Sequence, residues 1–283
     1  MIRLCRLASL LSFLLLIPGN CARALTFHAD MNPIHAQAMP GEVVNREFTL
    51  SLPATEPRTQ FRLHVQDFYR SEDLRQSFYK DPGTLPQSCA PWIQINPVET
   101  TVDPGTTLDA RISIVVPGDA KPGGYWCVLC VDQLPDPLAP PLTDGTAGMR
   151  CLASITLGIY VNILPVQILG RITAVTVAPD GASVTVANTG NCPLFATGRF
   201  EFVKPGDTKP FAVLPISRTT IFLQPINTAK LTVDLPDPAK LPTGRYLVRA
   251  IVDIGLDHYI GVQKEIDLNR ADSPTKQADA GSH

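Results

Sequence analysis

Charge is scarce in this chain of 283 residues: only 18% are Asp, Glu, Lys or Arg, and 24 bases stand against 26 acids. That balance leaves no basic footprint for nucleic acid. Aromatic residues make up only 7%. No apolar run reaches the roughly 20 residues that a membrane-spanning helix needs. The motifs of common catalysis are missing as well. There is no G-x-S-x-G elbow, no H-E-x-x-H, no phosphate-binding G-x-x-x-x-G-K-[ST] and no G-x-G-x-x-G. The five histidines are scattered without ligand spacing, and carboxylates are rarely paired. Nothing converges on an acid, a base or a nucleophile, so the reading is a non-enzymatic protein with no cofactor and no metal.

What the chain does have is proline, 27 residues of it, and 45% apolar residues. Proline this frequent breaks helices and suits short strands joined by turns. The apolar share is enough to fill one or two cores.

Residues 1–24, MIRLCRLASLLSFLLLIPGNCARA, have the layout of a cleaved secretory signal peptide. Arg3 and Arg6 precede a short apolar run, and Ala22-Arg23-Ala24 supplies a small-x-small cleavage site. Cys21 raises a lipoprotein reading, but Pro18-Gly19-Asn20 lacks the apolar and small residues expected before it. Cleavage after Ala24 leaves 21 bases against 26 acids, a net charge of −5. The expected location is therefore the periplasm or the cell surface.

Export permits disulfides. Five cysteines survive cleavage: Cys89, Cys127, Cys130, Cys151 and Cys192. The Cys127-x-x-Cys130 spacing falls in a strand-like run, GYWCVLCVDQL, where residues three apart point to opposite faces. Those two sulfurs are not expected to meet, which argues against redox or zinc chemistry. Cys127 reads as a small buried thiol beside Tyr125. Cys130 and Cys151 are a candidate disulfide if 125–133 and 151–163 are neighbouring antiparallel strands. An odd count leaves one thiol over, and Cys192 in NTGNCPL would suit an intermolecular tether.

From residue 25 onward short alternating runs follow one another, separated by turns such as Pro40-Gly41, Asp81-Pro82-Gly83 and Asp103-Pro104-Gly105. Strands are expected near 44–52, 60–68, 91–97, 107–117, 124–134 and 153–163. After Leu164-Pro165 a second series is expected near 170–179, 183–190, 198–205, 211–215, 229–236, 244–255 and 259–268. Seven short strands in about 100 residues is the count of an immunoglobulin-like sandwich. The two halves echo each other, with RISIVVPGDAKPGGYWCVLCVD in the first and KLTVDLPDPAKLPTGRYLVRAIVD in the second. The Tyr after each Gly sits where a tyrosine corner belongs. The expected fold is all-β: a first sandwich over 25–165, a second over 166–269, and a polar tail at 270–283. The loop DFYRSEDLRQSFYKDPG carries Phe68, Tyr69, Phe78 and Tyr79, either as a hairpin packing its rings on the domain edge or as a surface for a partner or sugar.

The stretch SCAPWIQINPVETTVDPGTTLDARISIVVPGDAKPGGYWCVL resembles the N-terminal domain of PapD-like periplasmic pilus chaperones, through W-I-x-x-x-P, x-P-G, V-x-V-P and G-x-Y. SITLGIYVNILP falls where those proteins place their last N-domain strand. The resemblance implies an exported chaperone-like or accessory protein, acting in surface-appendage assembly on another exported protein. It implies that Ile155, Leu157, Ile159 and Val161 contact an extended partner segment by strand addition. The same four residues can equally face the domain's own core. One feature of the family does not carry over. The Arg of its first strand and the Lys of its last N-domain strand, which clamp a partner carboxylate, have no counterpart at the matching positions. The competing reading is a structural or adhesive cell-surface module.

Overall fold

The computed structural model describes residues 25–29, 32–79, 81–136 and 152–269. Residues 1–24, expected to be a signal peptide, residues 270–283 and Cys151 lie outside the described residues. The described chain is built of strands, with one 3-10 turn at Ala90–Trp92.

Ten strands make the first sandwich. One sheet runs β1 (His28–Ala29), β3 (Val43–Ser51), β8 (Thr107–Val115), β6 (Ile93–Asn96). The facing sheet runs β2 (Ile34–Ala38), β10 (Ser154–Ile163), β9 (Gly123–Gln133), β4 (Thr59–Arg70), β5 (Gln76–Tyr79), with β7 (Glu99–Val102) also on β4. The inward side of each strand is apolar at alternate positions: Phe48 and Leu50 on β3, Phe61 and Leu63 on β4, Ala110, Ile112 and Ile114 on β8. These pack with Cys127, Leu129, Ile159 and Val161 into one core. Full burial of each large side chain contributes about 2 kcal/mol.

The opening of the chain changes sheets. β1 pairs antiparallel with β3, but β2 pairs parallel with β10 in the opposite sheet. Short side chains kept β2 out of the sequence reading. Ile34, Ala36 and Ala38 are buried and alternate with His35 and Gln37, a weak signal when two of the three inward residues are alanine.

The second sandwich sets a three-stranded sheet, β11 (Gly170–Val177), β12 (Gly181–Asn188), β15 (Thr228–Asp234), against a four-stranded one. That larger sheet runs β14 (Ala212–Ile221), β13 (Leu194–Val203), β16 (Gly244–Asp253), β17 (Ile260–Leu268). Val184, Phe200, Phe202, Leu231 and Val248 fill its core. β14 runs to Ile221, well past the end expected at 215. Pro215 is tolerated because β14 is an edge strand beside a register shift at Ala196/Gly198.

The internal echo of the sequence is structural. Gly123 and Gly244, each two residues before a Tyr, have φ of +149° and +148°. The Tyr125 hydroxyl donates to the Lys121 carbonyl at 3.1 Å, and the Tyr246 hydroxyl to the Pro242 carbonyl at 3.0 Å. Both sandwiches thus close the same turn with the same four-residue hydrogen bond.

Candidate functional site

The two sandwiches meet through a third apolar cluster of Phe68, Leu85, Trp126, Val128, Cys130, Tyr160 and Phe222. β9 makes this possible because it is buried on both faces. Cys127 and Leu129 enter the first core, while Trp126, Val128 and Cys130 face the second sandwich. Trp126 donates its indole N–H to the Phe68 carbonyl at 2.8 Å. Phe222 packs edge-on to Phe68 at 5.2 Å. Asp67 is fully buried beneath this junction and accepts from the Leu85 amide at 2.9 Å and from the Ser88 hydroxyl.

The aromatic segment forms the β4–β5 hairpin, with Phe68 opposite Phe78 and Tyr69 stacked on Tyr79 at 5.7 Å. Its tip reaches the second sandwich: the Lys230 amide donates to the Glu72 carbonyl at 2.8 Å, and Leu74 packs on the second core. Phe68 is buried at the junction, whereas Phe78 remains 45% exposed.

Beside the junction lies a cleft of about 390 Å³, lined by His35, Phe68, Arg70, Gln76, Thr156, Leu157, Gly158, Tyr160, Phe195, Arg218, Thr219 and Thr220 among others. Among the described residues no Asp or Glu lines it. Two guanidinium groups do, one from each sandwich. Arg70 donates to the Thr219 hydroxyl at 3.3 Å, and Arg218 lies over the Phe195 ring at 5.6 Å. Among the described residues neither arginine forms an ion pair with a carboxylate. Two planar forks facing a cleft with no carboxylate among its described lining are suited to an anionic group.

His35, Tyr160 and Phe195 form the aromatic wall. His35 stacks on Tyr160 at 5.2 Å and meets Phe195 edge-on at 5.0 Å. Burial and then the Arg218 charge hold the His35 pKa below its usual value, keeping the ring neutral. Burial pushes the Tyr160 hydroxyl up, against a hydrogen bond with Thr220 and the Arg70 charge. Gly158 makes room for this wall. A Cβ there would meet the Tyr160 ring at 2.7 Å.

β10 carries the four residues singled out in the sequence. Leu157, Ile159 and Val161 are buried in the first core, and Ile155 packs against it half-buried. The edge of β10 is divided. β2 pairs with residues 159–163, and among the described residues nothing pairs with residues 154–158 on that side. Ser154 and Thr156 are exposed there, and Thr156, Leu157 and Gly158 line the cleft. A strand edge that no described residue pairs therefore runs directly into the site of the two arginines.

The cysteines divide as the strand pattern predicted. Cys127 and Cys130 lie on opposite faces of β9. Cys130 stands opposite Thr156 in the ladder, and its Sγ is 3.7 Å from the Gln66 side-chain oxygen. Cys192, expected to suit a tether, is 2% exposed and packed at the domain junction, out of reach of another chain.

Arg70 and Arg218 went unread in the sequence. Each sits at a strand end or edge without a motif, and only the packing of the two sandwiches brings them together. Among the described residues no helix is long and apolar enough to cross a membrane.

No family model matches the chain, and no curated protein matches it. Solved structures do resemble it. One is a complex of the Salmonella enterica SafA pilin with the SafB chaperone, at 12% identity and a TM-score of 0.48, covering 86% of this chain and 99% of that one. The Pseudomonas aeruginosa CupB2 chaperone matches at 12% identity and 0.44, over 86% and 100%. The E. coli chaperone DraB matches at 15% and 0.44, over 88% and 99%. At such identities and TM-scores these remain likenesses; the two sandwiches are read from this chain's own sheets.

Proposed function

We propose that this protein is an exported, non-enzymatic chaperone-like or accessory protein of surface-appendage assembly. It holds an extended segment of another exported protein by strand addition along residues 154–158 of β10. The observation that carries this reading is the divided edge of β10. β2 occupies one half, and no described residue pairs with the other half, which leads to Arg70 and Arg218. A segment laid there continues the line of β2, pairs with backbone groups of β10 that no described residue takes, and covers the half-buried Ile155. A carboxylate on that segment, terminal or side-chain, meets the two guanidinium groups in the cleft. Ile159 and Val161 act from beneath, as core that keeps β10 straight. The domain division near 165–169, the cleaved signal at 1–24 and a periplasmic or surface location belong to the same reading. The solved chaperones of this fold, one of them in complex with a pilin, are consistent with it.

The test is affinity capture of the tagged protein, exported in its own host, with bound proteins identified by mass spectrometry. One β-rich exported subunit in stoichiometric amount is expected, and its loss from the Arg70→Ala/Arg218→Ala double variant. Equal recovery by that variant overturns the site. Recovery only of the protein itself favours a structural surface module instead.

A further inference from the structure

Cys89 and Cys127 come from separate parts of the chain and meet in the first core, Sγ to Sγ at 3.3 Å. Both residues are fully buried. The approach is built by backbone. The Cys89 amide donates to the Trp126 carbonyl at 3.2 Å, and Ser88 forms a parallel bridge with Trp126. Cys89 is thereby held alongside β9, one residue from Cys127. Two thiols make a poor pair as they stand, since sulfur is a weak donor and a weak acceptor. Each fills core volume without a strong partner; the next contact of the Cys89 sulfur is the Ile159 carbonyl at 4.0 Å.

We infer that Cys89 and Cys127 are joined by a disulfide in the mature exported protein. A bond of about 2.05 Å requires the sulfurs to close by somewhat more than 1 Å, within the reach of side-chain rotation. The oxidant is a disulfide, either of a thiol–disulfide exchange protein or of a small molecule. Its S–S bond and both cysteine S–H bonds break, the Cys89–Cys127 bond forms, and the donor leaves as two thiols. Two electrons and two protons pass from the cysteines to the donor.

The folded state also sets the order of events. Burial, then the neighbouring Cys89 thiol, push the Cys127 pKa well above the ordinary thiol value. The thiolate that must attack is therefore scarce once the core has closed. Oxidation is therefore fastest in the unfolded or half-folded chain, the state from which refolding in a thiol–disulfide mixture starts. The crosslink joins residues 38 apart and bypasses the C-x-x-C spacing altogether. Cys130, pushed up to about 12 by burial and by Asp132, faces the domain junction instead.

The test does not depend on the export reading. The full chain is denatured, reduced, then refolded with a mixture of reduced and oxidised glutathione, and its non-reduced peptide map is read by mass spectrometry. The expected product is one peptide pair containing Cys89 and Cys127, lighter by two hydrogens than the reduced pair. Reductant should lower the melting temperature of this product by roughly 10 °C, and should leave that of Cys89→Ala/Cys127→Ala unchanged. A folded product in which both thiols are alkylated after denaturation overturns the inference, as does a dominant pairing of either cysteine with Cys130, Cys151 or Cys192. Peptide mapping of protein recovered from the host envelope should show the same Cys89–Cys127 pair, and both thiols free there overturn the inference as well.

Discussion

The indole of Trp126 lies against the ring of Phe222, centroids 4.8 Å apart, and this contact fastens the last-but-one strand of the first sandwich to the chain leaving β14 of the second. Phe222 is 3% exposed and also meets Phe68 and Tyr160. Phe222→Ala should destabilise the protein by about 3 kcal/mol and loosen the angle between the sandwiches. Thermal unfolding measures the first effect. Small-angle scattering measures the second, as a larger radius of gyration. A destabilised variant with unchanged scattering would show that the hairpin tip alone sets the angle.

The paired tyrosine corners give an internal control. Tyr125→Phe and Tyr246→Phe each remove one hydroxyl that bonds a backbone carbonyl four residues back. Each should cost about 1 kcal/mol, in its own domain, and the two losses should add because the sites share no partner. Denaturant melts of the two single variants and the double variant check this.

Removal of Arg218 should act on the cleft in two ways. Arg218→Ala should weaken partner capture at least tenfold, with a smaller salt dependence than the wild type. It should also raise the His35 pKa toward its usual value, because the Arg218 charge is one of the two influences holding it down. Burial, the larger influence, remains, so the recovery is partial. NMR titration of the His35 ring measures it.

His35 sets a pH dependence of stability with a definite sign. Its folded pKa lies below the unfolded value of 6.5, so between the two the unfolded chain binds more protons. Stability should therefore rise with pH through that window, be complete above the unfolded pKa, and fall as the medium is acidified. His35→Gln should flatten this part of the profile. Denaturant melts from mildly acid to pH 8 decide it, and an unchanged slope in the variant would assign the effect elsewhere.

The strands with large alternating side chains were legible in the sequence. Ile155, Leu157, Ile159, Val161 and Ile163 mark β10 without ambiguity, and the Gly-x-Tyr echo correctly signals the turn shared by both sandwiches. Three kinds of feature were not legible. β2 hides behind alanines, although it decides which half of the β10 edge is covered. β14 looks broken at Pro215, although an edge strand does not need that amide. Arg70 and Arg218 lie 148 positions apart, and no local pattern links them. The cleft exists only because β9 carries apolar residues on both faces and so brings a second domain against the first. A near-continuous apolar run shows that a strand is buried on both sides, but not what covers it.

Hydrogen exchange along β10, in the protein alone and in complex with the subunit recovered from the envelope, tests the strand-addition account most directly. The amides of 159–163, covered by β2, should exchange slowly both with and without the subunit. Binding should slow exchange within 154–158 by at least tenfold. Protection that appears on β17 or another edge, with 154–158 exchanging as in the free protein, would contradict it.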